Sequence, residues 1–259
     1  MFEHVVPVNK DRHAGKKVRV SNDFKFAANF HVAYLTTHEF VRAAFFYPVL
    51  FLEDKDNDAF RPVALLGLDA GENLFVDDQG NWNAAYIPAI VRRYPFALSK
   101  SPEEERYIVC VDESSSLLSD TEGAALFDEA GNPTQVVENV KRYLGELQMM
   151  DQFTHEFIKF LVHNNLLTPL NMRVNVANQV RNITGCYVIN EERLNHFTDQ
   201  KFLELRQKGY LPAIYAHLMS LVQIEYLATL KTRSVEAGAK SASGEVATMA
   251  SAPASETIQ

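Results

Sequence analysis

Cysteine is scarce in this chain: Cys110 and Cys186 are the only two among 259 residues. Two thiols cannot build a disulfide framework or a four-thiolate zinc site within one chain, and a reduced, intracellular protein is the simplest expectation. Long apolar runs are missing too, with none approaching the roughly 20 uninterrupted residues that a membrane-spanning helix needs. At the amino terminus, MFEHVVPVNKDRHAGKK sets its charges after a short apolar run at residues 5–8 and has no apolar segment behind them, unlike a secretory signal. A cytoplasmic location follows as the expectation. Positive charge is in deficit: 25 Lys and Arg against 33 Asp and Glu leave a formal charge of -8. Without a cation excess to release counterions, a nonspecific grip on phosphate backbones is disfavoured, and no nucleic-acid partner is expected. The clearest local basic patch is Lys16, Lys17 and Arg19.

Several chemical signatures are absent as well. There is no Gly-x-Gly-x-x-Gly fingerprint, no Walker-type phosphate loop and no Gly-x-Ser-x-Gly elbow, so those routes to nucleotide binding and serine hydrolysis lack support. The His38-Glu39 and His155-Glu156 pairs have Arg42 and Lys159 where a zinc-binding helix needs its second His. His155 and His163 can share a helix face, but two turns, about 12 Å, is too long a gap for one ion. Asp54, Asp56 and Asp58 imitate the opening of a calcium loop; Ala59 then stands in place of the turn Gly and Leu65 in place of the closing Glu. No metal site and no cofactor is expected. Ser114, Ser115 and Ser116 follow Asp112 and Glu113 without a base that spacing alone can bring to them. Cys186, after Gly185 in an apolar strand pattern, reads as a packed thiol.

What the chain does contain is apolar residues, 47% of the total, enough for a continuous core. Residues 24–35, 47–52 and 62–68 read as strands, and Thr36 with Glu39 forms a capping box for a helix through Phe46. Turns are marked at residues 77–81 and 128–132, where Asp can bond backbone amides and Gly takes a positive φ. Residues 106–111 read as a buried strand, and residues 173–176 with 182–188 as a hairpin. After Pro133 the period changes: Val136, Val140, Tyr143, Leu147, Met150, Phe157 and Leu161 recur at helical spacing, in one long helix or two broken near Gly145. Helices are also expected at residues 191–196, 199–208 and 212–231. The order predicts an α+β fold, a largely antiparallel sheet with an inserted helix, packed against long helices of the carboxy-terminal half. Residues 1–231 form the single domain. Residues 232–259 shift to Ala, Ser, Gly, Thr and Glu without an aromatic residue and are expected to be disordered.

The best candidate binding surface is residues 82–96, which combine Trp82, Tyr86, Tyr94 and Phe96 with Arg92 and Arg93 between backbone-restricting Pro88 and Pro95. Rings beside guanidinium groups can hold an aromatic or carboxylate-bearing ligand or anchor a protein partner. The alternative is that the rings fill the core and the arginines pair with acids such as Asp112 or Glu113.

The ordered words VPVN, RHAG, YPVLF, ALLGL, GENLFVD, RRYPF, VDESSSLLSDTEGAALFDEAGNP, GCYVINEERL and IYAHLMSL span about residues 5–230. In number and order they resemble the SapC family, first named for a gene in bacterial surface-layer operons. Genes of this family often stand beside those of flavin-dependent tryptophan-halogenase-like proteins and TonB-dependent outer-membrane receptors. The resemblance implies an accessory role in a surface, uptake or modification system, with a halogenase-like enzyme as a candidate partner, and supplies no catalytic residue. The leading expectation is therefore a noncatalytic binding or accessory protein for a peptide, small ligand or partner enzyme. In it Trp82, Tyr86 and Tyr94 stack while Arg92 and Arg93 recognise an anion or carboxylate. The alternatives are an enzyme acting on an amino acid or peptide, drawing acid-base chemistry from His13, Asp112, Glu113 or Glu122, and a structural subunit assembled through its long helices.

Overall fold

The computed structural model describes residues 2–55, 57–100 and 107–250, with side chains placed through residue 239. Along the first half run β1 (Val5–Pro7), α1 (Lys10–His13), β2 (Lys17–Val18), β3 (Val32–Tyr34), α2 (Phe40–Ala43), β4 (Val49–Asp54), β5 (Ala59–Leu65), α3 (Ala89–Arg92), β6 (Phe96–Lys100), β7 (Tyr107–Asp112), β8 (Leu118–Ser119) and β9 (Ala124–Ala125). The second half holds α4 (Gln135–His163), β10 (Leu167–Pro169), β11 (Met172–Val176), β12 (Gln179–Ile183), β13 (Tyr187–Ile189), α5 (Glu191–Asn195), α6 (Asp199–Gln207), α7 (Leu211–Ser220) and α8 (Gln223–Ala250). The strands assemble as a central sheet β10-β13-β4-β5-β3, a smaller sheet β1-β7-β6, a sheet β8-β2-β9 and the hairpin β11-β12. Every strand pairing among the described residues is antiparallel, so the chain is α+β.

Two apolar cores share one helix. Toward its carboxy-terminal end α4 contributes Phe157, Ile158 and Leu161 to the main core with Phe40, Tyr47 and Phe51. Toward its start it contributes Val137 and Leu144 to a second core with Phe96, Val111 and Leu126, under the β1-β7-β6 sheet. Gly145 does not break it: a Cβ there would meet no atom within 4 Å, and α4 runs unbroken through the position. The helix thereby holds the two sheets in fixed relation, which positions the segment between them.

Local chemistry explains most boundaries. Glu39 Oε2 accepts from the Thr36 amide at 2.8 Å, as the capping box predicts, although α2 itself ends at Ala43. Both Asp-Gly turns form, with Gly80 at φ 87° and Gly131 at φ 80°, each closed by a single bridge, Val76 to Trp82 and Phe127 to Pro133. A Cβ on Gly80 would fall 2.0 Å from Asp23 Oδ1, so a larger residue makes the Asp23 side chain move aside, and the backbone angle itself favours glycine.

Some expectations are corrected. Within residues 24–35 only Val32–Tyr34 is a strand; Lys25–Ala27 is a 3-10 turn whose Lys25 amide donates to Asp23 Oδ1 at 2.9 Å, and the Phe24, Phe26 and Phe30 rings pack on the main core. The hairpin joins β11 to β12 through Ala177 and Asn178, both at positive φ, while β13 leaves it to pair with β10 and β4. The helix expected over residues 212–231 is two helices, α7 and α8. α8 runs from Gln223 to Ala250. Residues 251–259, Asp56 of the imitation calcium loop and Arg106 of the expected strand lie outside the described residues.

Candidate functional site

Three of the four candidate catalytic residues meet at the amino-terminal edge of the small sheet. β1 pairs with β7 so that Val5 lies opposite Asp112. Asn9 caps α1, its Oδ1 accepting from the Arg12 amide at 3.0 Å, and this one turn directs His13 inward, where it is fully buried. His13 Nδ1 accepts from the Asn9 amide at 3.2 Å. Its Nε2 lies 3.3 Å from Glu113 Oε1, without a well-directed hydrogen bond. Glu113 is gripped by both Arg12 Nε and Nη2 and lies 3.2 Å from His4 Nδ1. The Arg12 hydrogen bonds hold its carboxyl below the usual carboxylate range.

Asp112, also fully buried, accepts from the amides of Glu3 and His4 at 3.0 Å each and from Ser114 Oγ at 2.6 Å. Burial opposes its charge, but these donors outweigh burial and hold its pKa low. The arrangement ties residues 3–13 to the end of β7. Ser114 donates to Asp112 rather than to His13, and His13 faces no solvent, so the group is arranged as an anchor. Glu122 stands apart, exposed, with Arg19 Nη1 3.6 Å away.

The candidate binding segment lies between the two cores. Buried Glu39 fixes its start: Oε1 accepts from the Ala89 amide at 2.7 Å and from the Tyr86 hydroxyl at 2.8 Å. Trp82 Nε1 donates to the Tyr47 hydroxyl at 2.8 Å, and that hydroxyl donates to the Tyr86 carbonyl. The Trp82 ring meets Phe24 edge-on at 5.7 Å, and Tyr94 stacks on Phe26 at 4.3 Å. Burial raises the pKa of Tyr47, Tyr86 and Tyr94, so all three keep their protons. Trp82 and Tyr86 are thus engaged within the fold, and their rings lie outside the cavity described next.

The arginines differ. Arg92 Nε donates to the Ile87 carbonyl at 2.9 Å, and its guanidinium lies 5.7 Å from the Tyr86 ring and 5.8 Å from the Tyr143 ring. Arg93 lies 5.3 Å from the Phe2 ring, and its Nε is buried with no hydrogen-bond partner. Burial pulls the Arg93 pKa below the usual guanidinium range, opposed by a weaker pull from Tyr143 and Asp151. Among the described residues neither arginine joins an ion pair; the anticipated partners Asp112 and Glu113 are already taken by Ser114, Arg12 and the amino-terminal amides. Arg92, Arg93 and Tyr94 line an open cavity of about 290 Å³, together with Tyr143, Val20 and Leu117. Arg19, Val20, Ser21 and Leu117 also border a neighbouring cavity of about 460 Å³.

Sequence reasoning missed three contributors. Tyr143 was visible only as a helix-face residue, and Glu39 only as a cap. The Arg19–Ser21 stretch starts in the basic patch noted in the sequence, but no local pattern links it to residues more than 70 positions away. A larger cleft, about 760 Å³ between β7 and α4, is mainly apolar with Lys10, Glu138 and Lys141 among its lining. Among the described residues no group of three or more His, Cys, Asp and Glu side chains is placed to hold a metal ion, and no helix is long and apolar enough to cross a membrane.

Residues 8–227 match a family model described as SapC. No curated protein and no solved structure matches the chain.

Proposed function

The chain belongs to the SapC family, and on that premise we propose that it is a noncatalytic binding protein whose Arg92-Arg93 cavity receives a carboxylate or similar anionic group. That group is carried by a small ligand, a peptide or a partner enzyme, the halogenase-like neighbours suggested by the family being one such partner. The observation that supports this reading is that Arg92 and Arg93 both line the cavity and, among the described residues, neither has a carboxylate partner, while the buried Arg93 Nε–H is unmet. Leaving a buried donor unmet costs about 1–3 kcal/mol, which an incoming oxygen returns as a charge-assisted hydrogen bond. A space of about 290 Å³ is at the small end for ligand pockets and suits one side chain or a small acid. In this reading Tyr94 contacts the ligand, while Trp82 and Tyr86 position the segment. Action in the cytoplasm is part of the same proposal. The catalytic alternative is less well supported, because His13 is sealed from solvent and has no nucleophile beside it.

Ring contacts run from Trp82 through Phe24 and Phe26 to Tyr94, so the single tryptophan can report on the cavity. Acetate, benzoate and N-acetylphenylalanine, each beside its amide, are titrated while Trp82 fluorescence and the melting temperature are followed. At least one acid should shift both signals, its amide should not, and Arg93→Gln should abolish the response. Equal responses in wild type and Arg93→Gln would remove the cavity from the function.

A further inference from the structure

Among the described residues, a group of exposed large apolar side chains lies far from this cavity in the chain, on and just after α2, on α7 and at the start of α8. Met219 is 74% exposed, Phe45 71%, Val222 65%, Val41 50%, Tyr226 45% and Tyr215 44%. The inner face of α7, with Ile214 and His217, packs toward the central sheet, where His217 Nδ1 lies 2.7 Å from the Val49 carbonyl. The outer positions Tyr215, Met219, Val222 and Tyr226 follow helical spacing across the short turn that joins α7 to α8, where the Ile224 amide donates to the Leu221 carbonyl. α2 packs against α7, and Gln223 Nε2 donates to the Phe45 carbonyl at 3.2 Å, so Phe45 and Val41 extend the same patch.

We infer that this face joins two copies of the chain about a two-fold axis. Area is the first argument. At these exposures the six side chains present on the order of 600 Å² of apolar surface, at the upper end of what monomers leave open and, with a rim, near the roughly 800 Å² per partner of a stable interface. Charge is the second. α7 contains no Asp, Glu, Lys or Arg, and the exposed charges beside the patch include Arg42, next to Val41, and Glu225, next to Tyr226. Neither enters an ion pair among the described residues. A two-fold axis sets each Arg42 against the other copy's Glu225, so the patch is its own complement. An anionic lipid surface fits poorly, because the chain carries a net charge of -8.

Sedimentation equilibrium of the full chain tests this. Wild type should show a concentration-dependent species of twice the 29.3 kDa chain mass. Met219→Asp with Val222→Asp should be monomeric with an unchanged circular dichroism spectrum. Arg42→Glu and Glu225→Arg should each weaken association about tenfold, and the two together should largely restore it. A wild-type chain that stays monomeric at about 100 μM, roughly a hundredfold above a micromolar dissociation constant, overturns the inference. So does a dimer indifferent to the apolar substitutions, a failure of the charge-swapped pair to recover, or occupation of this face by anionic vesicles or an unlike protein in place of a second copy.

Discussion

Glu39 Oε1 lies 2.7 Å from the backbone nitrogen of Ala89, binding a capping residue of the first half to the opening turn of the arginine-bearing segment. The same carboxylate serves Thr36 through its other oxygen, so one side chain both caps the 3-10 turn that leads into α2 and sets where Arg92 and Arg93 stand.

Replacing Glu39 by Gln leaves the shape and removes the charge that these donors address. The expected cost is about 2–4 kcal/mol of stability, read from the urea unfolding midpoint. Carboxylate binding at the cavity should weaken as well, because α3 loses its fixed start. An unchanged midpoint would mean that the segment is held by its ring contacts alone.

Asp112→Asn removes an acceptor from the Glu3 and His4 amides and from Ser114 Oγ. The loss should be about 2–4 kcal/mol, and amides of residues 3–8 should exchange with solvent faster than those of β6, as measured by hydrogen exchange. Uniform acceleration across the fold would show that the amino-terminal anchor is not a separable unit.

His217 gives the protein an acid sensitivity. Its Nε2 accepts from the Ile189 amide at 3.0 Å, and burial pushes its pKa down from 6.5 to about 4, against a smaller opposite pull from the Val49 carbonyl. The folded state keeps the ring neutral where the unfolded chain takes up a proton. Its contribution is therefore complete above pH 6.5 and declines as pH falls toward 4, by on the order of 3 kcal/mol. Urea midpoints measured from pH 7 to 4.5 should fall in wild type. His217→Gln should start lower and change little over that range; parallel slopes would assign the acid sensitivity to other groups.

Much of this architecture was legible where a pattern is local. The helical period after Pro133 gave α4, and Asp with Gly at the right spacing gave both turns, because backbone angles and side-chain reach decide those features within a few residues. Residues 24–30 misled because aromatic rings are enriched in strands, yet here they pack sideways on the core around a 3-10 turn. The adjacency of Arg92 and Arg93 to rings was visible. That they would lack carboxylate partners among the described residues was not, since Arg12, about a hundred positions from Glu113 in sequence, takes that acid by way of the β1-β7 pairing.

Gly80 offers a steric check on the turn that precedes Trp82. Gly80→Ala should cost about 2 kcal/mol, since its Cβ would meet Asp23 Oδ1 at 2.0 Å with φ at 87°. Adding Asp23→Ala should recover the steric share and leave about 1 kcal/mol for the backbone angle. No recovery in the double variant would place the whole cost in the backbone.

The most direct measurement is the ¹⁵N resonance of Arg93 Nε, identified by its loss in Arg93→Lys and followed while a carboxylate or its amide is added. If the cavity binds an anionic group, the free protein shows this Nε–H without a hydrogen-bond acceptor, and the acid alone shifts it downfield and slows its exchange. A resonance that ignores every acid, or that is already shifted and protected in the free protein, would contradict the proposal that Arg92 and Arg93 await an anionic partner.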